Sequence, residues 1–135
     1  MKNSLIAKLI KQKKITLTIL IIVFSIISCS SNKKVENVTV TELEEIIKRD
    51  STIQILDVRT EVEQRHGTIL NAKRVNLLSS DFVTESISVL DKSEPVYVYC
   101  RSGRRSKVAC NVLVDKGYKV INIEGGFKAW QEIKE

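Results

Sequence analysis

Pro95-Val96-Tyr97-Val98-Tyr99 runs straight into Cys100-Arg101-Ser102-Gly103-Arg104-Arg105-Ser106, and this junction decides how the chain is read. The first run is rich in β-formers and has the length of a buried strand. Beyond the junction, residues 107–116 carry a helical pattern that ends at Gly117, a residue suited to the left-handed turn past a helix. A cysteine therefore stands at the carboxyl end of a strand, and a short polar loop carries the chain into a helix. Such a loop aims backbone N–H groups and the positive helix end at the sulfur, which favours the thiolate. Arg101, Arg104 and Arg105 add positive charge, and Gly103 lets the backbone turn tightly. A plain strand-to-helix junction has no need of three arginines within five residues of one cysteine.

Working outward, the same alternation recurs. Val38-Thr39-Val40 reads as a short edge strand. Thr41 followed by Glu44 has capping-box spacing, with Leu43, Ile46 and Ile47 as an apolar helical stripe reaching about Arg49. Residues 53–58 form a strand ending at Asp57 and Arg59. Thr60 to Glu63 supplies a second N-cap, and a short helix leads to Gly67. Residues 72–77 hold a short strand, and Ser80 or Asp81 caps a helix through Leu90. Residues 118–123 make the last strand, Gly125-Gly126 a turn, and Phe127 to about Lys134 a closing helix. Strands alternating with helices predict an α/β domain with a largely parallel sheet, whose sites form beyond the carboxyl ends of the strands. Asp57, Arg59 and Cys100 all lie at such ends.

The formal charge of +6 over 135 residues is unevenly spread. All 16 acidic residues and 17 of the 22 basic ones lie from Cys29 onward, so that part is nearly neutral and gives no reason to propose nucleic-acid binding. The other five lysines precede the apolar run Ile15 to Ile27, which is followed by Ser28 and Cys29. That layout is a secretory signal, too short for a comfortable membrane span. Ile26-Ile27-Ser28-Cys29 resembles a bacterial lipobox, which implies cleavage before Cys29, acylation of its thiol and a lipid anchor in the cell envelope, facing the periplasm or exterior. An uncleaved N-terminal anchor is the alternative. The expected organisation is a signal at 1–28, an acylated cysteine and polar tether at 29–37, and one catalytic domain at 38–135.

Four stretches, in order and in register, resemble a single-domain rhodanese, a sulfurtransferase. They are Leu56-Asp57-Val58-Arg59-Thr60, Gly67-Thr68-Ile69 with Ala72, the Cys100 to Ser106 loop, and Glu124-Gly125-Gly126-Phe127 with Ala129-Trp130. The resemblance implies the rhodanese α/β sandwich, a five-stranded, mainly parallel sheet with helices on both faces. It also implies a ping-pong cycle in which Cys100 takes sulfur from a small anionic donor such as thiosulfate, holds it as a persulfide, and yields it to cyanide or a thiol. The loop Arg101, Ser102, Gly103, Arg104 and Arg105 cradles the sulfur, with Arg101 and Arg105 as candidates for the sulfonate end of the donor. Asp57 is expected to anchor the loop and Arg59 to pair locally, with Glu63 a candidate partner; the bland reading of Arg59 is an exposed ion pair. Phe127 and Trp130 are assigned to packing, and Cys110 to the core. A short loop over the site is expected to leave Cys100 exposed, open to small donors or to a docking protein. No cofactor is needed, no metal-ligand cluster is present, and monomer is the default.

The family usually has Gly-His-Ile where this chain has Gly67-Thr68-Ile69. His66, one place earlier, reads as a turn residue and not as a base. Phosphatases of the same fold use Cys-x5-Arg, whereas Arg105 falls fifth after Cys100 and Ser106 sixth, a loop sized for sulfur. That spacing sets a phosphatase or arsenate reductase behind two other readings: the sulfurtransferase, and a persulfide carrier or binding module without free turnover.

Overall fold

The computed structural model describes residues 35–135 together with Ile6 and Gln12. The signal at 1–28, apart from those two residues, and residues 29–34 of the tether lie outside the described residues. Among those described, no helix is long and apolar enough to cross a membrane.

The elements follow in the order β1 (Glu36–Val38), α1 (Val40–Arg49), β2 (Gln54–Asp57), α2 (Glu61–Gln64), β3 (Lys73–Arg74), α3 (Phe82–Val89), β4 (Val96–Tyr99), α4 (Arg104–Asp115), β5 (Val120–Ile123) and α5 (Gly126–Glu132). The sheet order is β1-β5-β4-β2-β3, and all four pairings are parallel. The sheet is thus wholly parallel, where a mainly parallel one was expected. β2 and β4 lie in register, with Asp57 opposite Tyr99, so the end of β2 stands beside the residue before the cysteine.

Strand alternation feeds two cores. Leu56, Val96, Val98 and Val120 pack with Phe82 of α3 and Ala109, Cys110 and Leu113 of α4 on one face. Ile55, Tyr99 and Ile123 pack with Val40 and Leu43 of α1 and Phe127 of α5 on the other. Successive side chains point to opposite faces, so each central strand serves both layers. Helices cover both faces, and the apolar sequence of the central strands follows from that burial.

Several boundaries differ from the sequence reading, β3 among them, which is confined to Lys73–Arg74 within the expected 72–77. The capping box of α1 is Thr39 with Glu42, not Thr41 with Glu44. Both pairs have the right spacing, and burial decides between them: Val40 packs with Leu43 in the core, which requires it inside the helix, and β1 retreats to residues 36–38. α4 starts at Arg104, three residues before the expected Lys107. Its N-cap is Gly103, which has no side chain to give a capping signal. β5 is shorter than expected, beginning at Val120.

Candidate active site

Cys100 sits one residue past β4, where a parallel sheet of this handedness opens its cleft. The chain turns through Gly103, whose φ of +91° belongs to the left-handed region, and enters α4 at once. The Gly103 N–H donates to Cys100 Sγ at 3.1 Å. Burial pushes the Cys100 thiol up, but N–H groups of Ser106 and Ser102, the Ser106 hydroxyl and the Gly103 N–H outweigh it, the serine groups in looser geometry, and the pKa falls below the ordinary thiol value. The Ser106 hydroxyl lies 3.1 Å from Gly103 O and 2.7 Å from Asn122 Oδ1, tying the loop to β5.

The far side of the loop is fixed by α5. Phe127 N–H donates to Cys100 O at 2.8 Å and Lys128 N–H to Arg101 O at 3.0 Å. This approach needs a glycine: a Cβ on Gly126 would collide with Cys100 O and stand 2.9 Å from Arg101 C and O. The closing helix thus starts at Gly126, one residue before the expected Phe127, with Gly125 in the turn as its N-cap, and its first amides hold the cysteine's backbone.

Asp57 and Arg59 form the buried floor beside this loop. Arg59 places Nε 2.9 and 3.0 Å from the two Asp57 oxygens and Nη2 2.6 Å from Oδ2. Its Nη2 also donates to Gly67 O at 2.6 Å, and its guanidinium lies 3.9 Å from the centre of the Phe127 ring. Tyr99 donates its hydroxyl to Asp57 Oδ2 at 2.7 Å and accepts the Ile69 N–H at 3.0 Å. Burial first, and the Asp57 carboxylate second, push the Tyr99 phenol up, so it stays a donor. Arg59 is therefore neither an exposed ion pair nor a partner of Glu63. It is 2% exposed, because Asp57 two residues earlier points to the same side of the extended chain.

Glu63 instead takes Arg105, with Nη1 to Oε2 at 2.8 Å and Nη2 to Oε1 at 2.6 Å. Arg101 and Arg104 are exposed. Cys100 itself is only 1% exposed, contrary to the open thiol the short loop suggested, because the loop amides fold down onto the sulfur. An open cavity of about 280 Å³, lined by Ser102, Gly103, Arg104 and Lys107 among others, borders the loop. A larger one, about 800 Å³, opens beside Gln54 and Pro95 at the opposite, amino ends of β2 and β4, away from the sulfur.

Cys110 and Phe127 are buried as assigned, and Trp130 is half-buried against the same cluster as Phe127. His66 is exposed. Thr68, in the place of the family's usual histidine, donates its hydroxyl to Leu70 O at 3.3 Å. Among the described residues no group of three or more His, Cys, Asp or Glu side chains could hold a metal ion. Sequence reasoning missed Tyr99 and Asn122, and the partnership of Glu63 with Arg105. The aromatic just before the cysteine, in register with Asp57, was the available signal for Tyr99.

The Rhodanese-like domain family model matches residues 39–133. Thiosulfate sulfurtransferase 18 of Arabidopsis thaliana is 34% identical over 118 residues, covering 78% of this chain and 85% of its own length. Thiosulfate sulfurtransferase GlpE of Coxiella burnetii is 33% identical over 100 residues, covering 73% and 87%. Among solved structures, the rhodanese-like domain protein of Staphylococcus aureus matches with a TM-score of 0.64 at 33% identity, covering 70% of this chain and 90% of that one.

Proposed function

Because the chain belongs to the rhodanese-like domain family, we propose that it is a sulfurtransferase that moves sulfane sulfur through a Cys100 persulfide. The observation that carries the reading is the Cys100 thiol, buried yet acidified by the N–H groups of its own loop. A thiolate in that cradle attacks the outer sulfur of a thiosulfate-like or persulfide donor. The donor's S–S bond breaks with its electron pair, the leaving group departs, and the same amides receive the terminal sulfur of the new persulfide. A thiophilic acceptor then takes that sulfur and returns the thiolate. Arg101 and Arg104, exposed and without an ion-pair partner among the described residues, are the groups we assign to meet an incoming anion. Asp57, Arg59 and Tyr99 act through the loop as positioning residues.

Two further assignments belong to this reading. Cys29 carries the lipid that tethers the domain in the bacterial cell envelope, and the domain works as a monomer. Mass spectrometry of the mature N-terminus checks the first, since an acylated cysteine is the expected first residue.

The test of the activity is thiosulfate:cyanide sulfur transfer by the full chain beside Cys100→Ser. Turnover is expected in the parent and none above background in the variant, and the thiosulfate-treated parent gains the mass of one sulfur. An adduct without turnover would shift the reading to a persulfide carrier awaiting a partner protein. The absence of both signals would sink it.

A further inference from the structure

The three guanidinium groups of the loop are not equivalent. Arg101 and Arg104 project into solvent. The Arg105 side chain is 25% exposed and lies close enough to Cys100 for its charge to favour the thiolate. Yet both terminal nitrogens of Arg105 are held by Glu63. The carboxylate cannot readily swing away, because Oε2 also accepts the Thr60 N–H at 3.0 Å and the Thr60 hydroxyl at 2.9 Å in the capping box of α2. The loop cation whose charge reaches the sulfur is thus paired with a fixed anion from α2, the short helix that follows β2.

Resting on the sulfurtransferase reading, we propose that Glu63 determines donor choice: by occupying Arg105 it makes the inner site select organic persulfides over thiosulfate. The chemistry at sulfur is the same for both. With a persulfide, Cys100–S⁻ and R–S–SH give Cys100–S–SH and R–S⁻. With thiosulfate, Cys100–S⁻ and S–SO₃²⁻ give Cys100–S–S⁻ and SO₃²⁻. One S–S bond forms, one breaks with its electron pair, and no outside oxidant or reductant enters. The donors differ in what leaves. Sulfite departs as a dianion, and its three oxygens call for a free guanidinium fork beside the thiolate. An organic thiolate leaves with a single charge and presents no oxyanion face. A guanidinium already bonded through both terminal nitrogens to a carboxylate offers neither net charge nor its fork to sulfite. In a partly buried pair this matters more than at the open rim, where solvent screens Arg101 and Arg104.

The experiment compares two donors on one preparation of the full chain, thiosulfate and 2-hydroxyethyl persulfide, each with cyanide as acceptor. Glu63→Gln is expected to raise kcat/KM for thiosulfate about tenfold, the effect of freeing one guanidinium, while the persulfide value changes less than about twofold. Glu63→Asp, which keeps the charge, should retain the parent's donor ratio. Adding Arg105→Gln to Glu63→Gln should remove that gain and return the donor ratio to the parent's. Because the readout is a ratio, a partly unfolded preparation lowers both rates alike and leaves it intact. A donor ratio that Glu63→Gln leaves unchanged or shifts toward the persulfide overturns the inference. A parent protein that turns over neither donor and gains no sulfur overturns the underlying sulfurtransferase reading instead, so the two failures are distinguishable.

Discussion

Cys100 and Cys110 stand ten residues apart, in one apolar cluster, and both are buried. Their chemistry diverges all the same. Cys110 lies inside α4, where the backbone N–H groups are consumed by carbonyls one turn back. Burial, with the nearby Cys100 charge adding to it, pushes the Cys110 thiol up to about 12. Cys100 lies where the strand has ended and the helix has not begun, so the amides around it are free to point at the sulfur. Burial opposes its ionisation too, and the amides win. Depth in the core therefore does not decide which thiol reacts; the supply of unspent backbone donors does.

The largest expected effect tests that contrast directly. In the native full chain a small alkylating reagent at pH 8 should label Cys100 at least about a thousandfold faster than Cys110, the ratio of thiolate fractions for an ordinary thiol and one near 12. The Cys100 rate should fall as pH drops through its lowered pKa, with a midpoint below that of an ordinary thiol. Peptide mapping by mass spectrometry reads both, and equal rates would break the comparison. Next in size is the floor under the loop. Arg59→Leu strands the fully buried Asp57 carboxylate, and denaturant unfolding should show a loss of about 3–5 kcal/mol. A loss under about 1 kcal/mol would mean that the pair behaves as a solvated one. Cys110→Ala touches none of these bonds and should leave the reactivity of Cys100 unchanged. The smallest effect concerns Glu63, whose carboxyl Arg105 holds down to about 2, against an ordinary 4.5. A depressed folded-state pKa stabilises above the unfolded value and is lost as pH falls. Stability should thus decline between pH 4.5 and about 2, by roughly 1–2 kcal/mol for a pair one-quarter exposed. Glu63→Gln should flatten that segment of the acid titration, and an unaltered slope would count against the pairing.

Much of this was legible in the chain. Val96–Tyr99 and the Cys100 loop could be read because a strand pattern, a turn glycine and a helix pattern meet there with little ambiguity. The order of elements followed from the same alternation. What stayed hidden had physical causes. Thr39–Glu42 and Thr41–Glu44 satisfy the same capping rule, and only the burial of Val40 separates them. A helix that begins at Gly103 has no side-chain cap to announce it. The bond between Glu63 and Arg105 joins residues 42 apart, which no local pattern can link. The depth of Cys100 was misjudged because a short loop suggests openness, whereas this one folds its amides onto the sulfur.

The close approach at Gly126 carries a consequence for how the protein is made. The amides that take the carbonyls of Cys100 and Arg101 belong to a segment synthesised after them. Only the arrival of Phe127 and Lys128 completes the hydrogen bonds to those two carbonyls. A nascent chain stalled before that point carries the cysteine but not the completed loop. Completion of the loop is in this way tied to completion of the domain.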